Sequence, residues 1–180
     1  MIIQDPNTGQ AAAVSSEGKL ESVAVCRDYQ EHVNKDEGDS YSILIDATTA
    51  AVDDQFFYLK NNGNDDLHIT SVKGFVSADT EIKILIGVTG TATGPATIVP
   101  VNRNGGSGNT LDATVQEGAD LQLTGGSAVD LFEILAASTS LFKLSWASHI
   151  ILPKNSTLVF ESSAASTINL TVSAFVHASI

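Results

Sequence analysis

The chain has 180 residues, with 21 acidic against 9 basic side chains and a net charge of −12. That field repels phosphate backbones and anionic lipid surfaces, so nucleic acid and membrane are excluded as expected partners. Hydrophobic residues make up 43% of the chain and aromatic ones only 6%, so one domain with an aliphatic core is expected. Abundant Thr, Ser and Gly with sparse Pro suit many short strands joined by polar loops. The single Cys26 excludes an internal disulfide, and its setting, VAVCRD, predicts a buried structural thiol. The opening MIIQDPNTGQ has neither the basic start nor the apolar core of a signal peptide. No apolar run approaches the roughly 20 residues of a membrane span. Assembly inside a reducing cell is the expectation.

In chain order, residues 1–19 hold two turn signals and small side chains, with little to bury. They predict an extended arm in front of a domain at 20–180. Its apolar anchors would be Ile2 and Ile3, with Pro6 and Val14 as further candidate contacts. Residues 20–27 form a strand candidate. Residues 28–40 (DYQEHVNKDEGDS) are dense in charge and predict a solvated loop. YSILID at 41–46 is a strand, followed by a polar link.

The stretch 56–88 is the clearest part of the chain. Two apolar runs flank Asn62-Gly63-Asn64-Asp65-Asp66, a group of residues that tolerate tight-turn backbone. In the next run Ile82, Ile84, Ile86 and Val88 alternate with Lys83, Leu85 and Gly87, the period of a strand. Two consecutive hairpins at the centre of an antiparallel sheet are predicted. A turn-rich stretch follows, then an edge-like strand at 98–101 interrupted by Pro100. NRNGGSGN at 102–109 predicts a mobile loop at the tip of the body, with Asn102, Arg103 and Asn104 as candidate partner contacts. Short strands are predicted at 111–115 and 119–123, a turn at Gly125-Gly126, and strands at 141–146 and 157–161; VDLFEILAA at 129–137 has the Leu, Glu and Ala of a helix but is read as a strand because its neighbours are strands. In the last, 168–177, Ile168, Leu170, Val172, Ala174 and Val176 face one way. The prediction is an all-β, antiparallel, jelly-roll-like β-sandwich of about eight main strands.

Motifs for chemistry are absent. His32, His68, His149 and His177 are never two to four residues apart, and neither HExxH nor a cysteine zinc pattern occurs. No GxSxG or GxxxxGK[ST] is present. The NNGNDD segment lacks the spacing and closing Glu of an EF-hand loop. Adjacent acids at 53–54 and around 31–37 read as solvated charge rather than a glycosidic pair. Trp146, the only Trp, reads as core. No catalytic, cofactor-binding or metal-binding residue is therefore assigned.

Four segments carry a resemblance. DPNTGQAAAVSSEGKLES at the N-terminus, EHVNKDEGDSYSI, PVNRNGGSGNTLDATVQEG at 100–118 and LPKNSTLVF at 152–160 resemble, in order, segments of small structural proteins of tailed bacteriophages. These are proteins of the head-decoration or cement type. The resemblance implies a non-enzymatic virion protein, made and assembled in the host cytoplasm, with a jelly-roll-like body. It implies a homo-oligomer, commonly a trimer, that binds the major capsid protein. A rival expectation is the receptor- or glycan-binding head of a tail fibre or spike, for which Trp146 and the Asn102 loop are the candidate surfaces.

Overall fold

A computed structural model of the protein describes residues 13–14, 20–21, 29–135 and 141–177. Two short strands, β1 (Ala13–Val14) and β2 (Leu20–Glu21), pair antiparallel with Val14 opposite Leu20, across the boundary predicted between arm and body. A single turn of helix, α1 (Tyr29–His32), runs into a π-helical turn at Val33–Glu37. The charged stretch that predicts a loop is thus largely helical. Its charges lie outside, but Val33 is fully buried and anchors it.

The body consists of β3 (Ser40–Thr48), β4 (Asp54–Asn61), β5 (Asp66–Val76), β6 (Thr80–Thr89), β7 (Ala96–Thr97), β8 (Val101–Asn102), β9 (Ala113–Glu117), β10 (Thr124–Ile134), β11 (Phe142–Leu152), β12 (Thr157–Ser162) and β13 (Thr167–His177). One sheet runs β11-β5-β13-β3-β8 and the other β10-β6-β12-β4-β9-β7. Every pairing is antiparallel. Eight strands build the body: β3 to β6 and β10 to β13. Numbered first to eighth, they fall into the orders 1-8-3-6 and 2-7-4-5. That is a jelly-roll sandwich.

This topology overturns the two predicted hairpins. β4 and β6 lie in one sheet and β5 in the facing one. Alternation specifies which face a residue takes, not which strand it pairs with. The NNGNDD segment crosses between sheets instead of reversing within one. Asn61 fixes that crossing. Its side-chain amide donates to the carbonyls of Asp65 and of Leu152, each at 2.8 Å, and its Oδ1 accepts from the Gly63 N–H at 3.0 Å.

Aliphatic rows fill the space between the sheets, as the low aromatic content requires. Ile43, Val172 and Val72 are neighbours across β3, β13 and β5, and all three are fully buried. Facing them, the Phe160 ring lies 5.1 Å from Phe57 and 6.0 Å from Phe56.

A second cluster sits on the outer face of the six-stranded sheet, where Leu121 and Leu123 cover Leu85, Val88 and Val159. Residues 119–123, predicted as a strand, form this irregular flap instead. Their backbone pairs with Gln55: Leu121 N–H donates to its carbonyl at 2.8 Å and Leu123 N–H to its Oε1 at 2.7 Å. Covering both faces explains why the β4 and β6 segments read as nearly continuous apolar runs. It also corrects the alternation. Val88 packs with Leu85, not with Ile84, because the chain turns over at Gly87, where φ is +73°. Gly125 and Gly126, predicted as a turn, continue β10 opposite this kink.

Replacing Asn61 with Ala removes the amide donor from the buried Leu152 carbonyl and the part-buried Asp65 carbonyl, while the Gly63 N–H keeps the Asp112 carbonyl at 3.0 Å. Stability should fall by about 2–4 kcal/mol. Chemical denaturation checks this; a loss within about 0.5 kcal/mol, as at an indifferent surface site, would contradict it.

Candidate functional site

The loop predicted to meet a partner is built from the end of the helical segment. Gly38 closes the π turn with φ +72°, its N–H donating to the Val33 carbonyl at 2.9 Å. A β-carbon there would sit 2.6 Å from Ser107 Oγ, so the loop packs directly on it. Asparagine side chains then strap the two segments together. Asn102 Nδ2 donates to the Gly38 carbonyl at 2.7 Å and Asn104 Nδ2 to the Asn34 carbonyl at 2.8 Å. Asn109 Nδ2 reaches both the Glu37 carbonyl, at 3.0 Å, and Asp39 Oδ1, at 2.8 Å. These carbonyls end a helical turn and need donors. The amides of Asn102 and Asn104 are therefore used inside the chain, and the loop is fastened along its length. Arg103 alone of the three predicted contacts is exposed, with no ion-pair partner among the described residues. Ile2, Ile3 and Pro6 lie outside the described residues, as does Cys26. Val14 lies in β1.

Sheet order brings together three histidines that are far apart in sequence. His68 in β5 lies between β11 and β13. Its ring stacks on Phe175 at 4.7 Å, with His149 at 5.9 Å and His177 at 6.2 Å, both edge-on. His149 has a left-handed backbone, φ +45°, where the β11 register shifts. Burial pushes the His68 pKa below its ordinary value, the nearby His149 adds to this, and Asp66 opposes it. Its Nδ1 is buried without a hydrogen-bond partner. No group of three or more His, Cys, Asp or Glu among the described residues is arranged to hold a metal ion. The cluster was invisible in the sequence because it depends on which strands are neighbours. Strand alternation puts His68 and His177 outward, but nothing local pairs β5 with β13.

The other candidates are occupied within the fold. Asp54 Oδ2 accepts from the N–H groups of Ala50 and Ala51, each at 2.7 Å, and so closes a turn. Glu161 pairs with Lys83 at 2.5 Å. In the NNGNDD segment, Asn64 Oδ1 accepts from the Lys154 ammonium. Trp146 packs partly against the core, and its indole N–H donates to Asp130 Oδ2 at 2.6 Å.

What stays open is a tract of exposed apolar side chains. Leu44 and Phe75 project from the outer face of the five-stranded sheet, and Leu141 lies beside them. The sequence shows their alternation but not that they stay exposed among the described residues. Comparison with known proteins finds no matching family model, no matching curated protein and no matching solved structure.

The histidine cluster makes stability depend on pH with a definite sign. Well above pH 6.5, the ordinary value, His68 is neutral folded and unfolded and contributes nothing. Below it, the unfolded chain takes up a proton that the folded chain resists, so stability falls until the lowered folded value is passed. Thermal melts between about pH 7.5 and pH 5 should lose less stability in His68→Gln than in wild type. Equal losses would contradict this.

Proposed function

We propose that this chain is a non-enzymatic structural protein of a tailed-phage particle, a decoration or cement protein that binds the major capsid protein and works as a homo-oligomer. One observation carries the reading: four ordered segments resembling such proteins belong to a chain whose body is a jelly-roll sandwich. The fold alone implies no function, since jelly rolls host many. It does supply what this role needs, a rigid β-body with its polar clusters engaged internally. An arm can then grip a lattice by adding a strand to a neighbour's sheet, which asks little of its side chains. The net charge of −12 suits a solvated particle surface and disfavours contact with nucleic acid or membrane. The virion is the expected location, after assembly in the host cytoplasm.

Trp146 weighs against the glycan-binding alternative. A stacking platform needs an open indole face, and this ring is partly buried with its N–H engaged by Asp130.

Deleting residues 1–14 should leave the domain folded and abolish binding to particles. Circular dichroism and co-sedimentation with heads lacking the protein measure the two outcomes. Binding at wild-type occupancy would sink the role of the arm.

A further inference from the structure

The three histidines gather where β11 is irregular. Ser145 is opposite Ser71 and Ile150 opposite Ile69, so residues 146–149 of β11 stand against the single Thr70 of β5. A bulge of this kind bends its strand and re-aims a side chain. Here that side chain is His149, whose backbone holds φ +45°. A left-handed backbone costs energy for a residue with a β-carbon and persists only where the surroundings impose it. The His149 ring meets His68 edge-on at 5.9 Å and Phe175 edge-on at 5.4 Å. Among the described residues β11 ends its sheet and is paired with β5 alone, whereas β13 is paired on both sides.

His68 is poorly placed to take up a proton. Its ring lies nearly parallel to Phe175, with 10° between the planes, and its Nδ1 is buried without a hydrogen-bond partner. A neutral imidazole carries N–H on one nitrogen, and an imidazolium carries it on both. Protonation therefore puts a charged N–H at Nδ1, where no acceptor waits, and that costs more than an idle neutral atom. The surrounding charges do not offset this cost. His149 on β11 and His177 on β13 become like charges in acid. Asp66 stands opposite His177 across β5 and β13 and favours the proton, but burial of His68 and the nearby His149 outweigh it. The π turn packed on β13 adds Lys35, Asp36 and Glu37, all exposed, with Asp36 paired to His32 at 2.6 Å.

We infer that the contact between His68 and His149 is a proton-operated latch on β11. In the neutral state the two rings meet edge to face and hold residues 146–149 against β5. In acid, His68 carries charge, repels His149 and needs an acceptor for its Nδ1–H. The bulge then lifts from β5, the left-handed turn at His149 relaxes, and Nδ1 reaches water. β11 is the strand that yields, because it has one paired neighbour and already carries the strain. The latch is a local motion of one strand, distinct from the loss of global stability derived above, and it does not depend on the particle role.

Amide hydrogen exchange of the full-length chain at pH 7.5 and pH 5.5, corrected for the intrinsic effect of pH on exchange, tests it. Peptides from residues 144–152 should lose protection about tenfold or more at the lower pH, while those from β3 and β13 change by less than about threefold. His68→Gln and His149→Asn should each remove this pH dependence; Asn tolerates the left-handed backbone and carries no charge. His32→Gln, outside the cluster, should keep it. The wild-type midpoint needs no variant. A midpoint between about pH 5 and 6.5 supports the latch, and one in the ordinary carboxylate range, about pH 4, overturns it. Protection that is unchanged, that falls evenly over all strands, or that falls equally in His68→Gln would also overturn it.

Discussion

Every connection that carries the chain from one sheet to the other brings backbone amides and carbonyls to the ends of the sandwich, where they must be paired. Buried polar backbone without a partner costs more than any single apolar contact gains. Asn61 meets this demand at one crossing, tying β4 to the ends of β5 and β11. Hydroxyls meet it at the opposite end. Thr49 Oγ1 donates to the Ala164 carbonyl at 2.8 Å and accepts from the Ser166 N–H at 3.0 Å, while Thr80 and Ser162 share a hydrogen bond of 2.8 Å. Gln55 does the same for the flap that covers the six-stranded sheet. Asn61, Thr49, Thr80, Ser162 and Gln55, small polar residues of the kind abundant in the composition, are thus engaged in holding the fold.

That pairing leaves an asymmetric molecule. The six-stranded sheet is covered on both faces, by the other sheet and by Leu121 and Leu123. Among the described residues, the outside of the five-stranded sheet is covered near β13, where the π turn packs. Its remaining outer face and the β10–β11 side keep large apolar groups in water.

Much of the fold was legible in residue order. Residues 168–174 alternate as predicted, with Ile168, Leu170, Val172 and Ala174 buried. The strands at 41–46 and 157–161 are present with a few residues added at their ends. Pairing was not legible. A turn-rich linker such as NNGNDD serves a hairpin and a sheet crossing equally well, and only distant Leu152 decides between them. Leu121 and Leu123 looked like a strand because their spacing alternates, yet they are held by the side chain of Gln55. Asn102 and Asn104 read as polar loop residues, and their engagement with Gly38 and Asn34 depends on a helical turn that the charges of residues 28–40 conceal. The histidine cluster shares that cause, since it exists only once β5 has its neighbours.

The central claim is that this body contributes surface and subunit contacts to a particle. Electron cryomicroscopy of intact virions tests it most directly. The account predicts jelly-roll density of this size on the outside of the head shell, with its N-terminal end against the major capsid protein. Its absence from the particle, or its presence only at the tip of a tail fibre, would contradict the account.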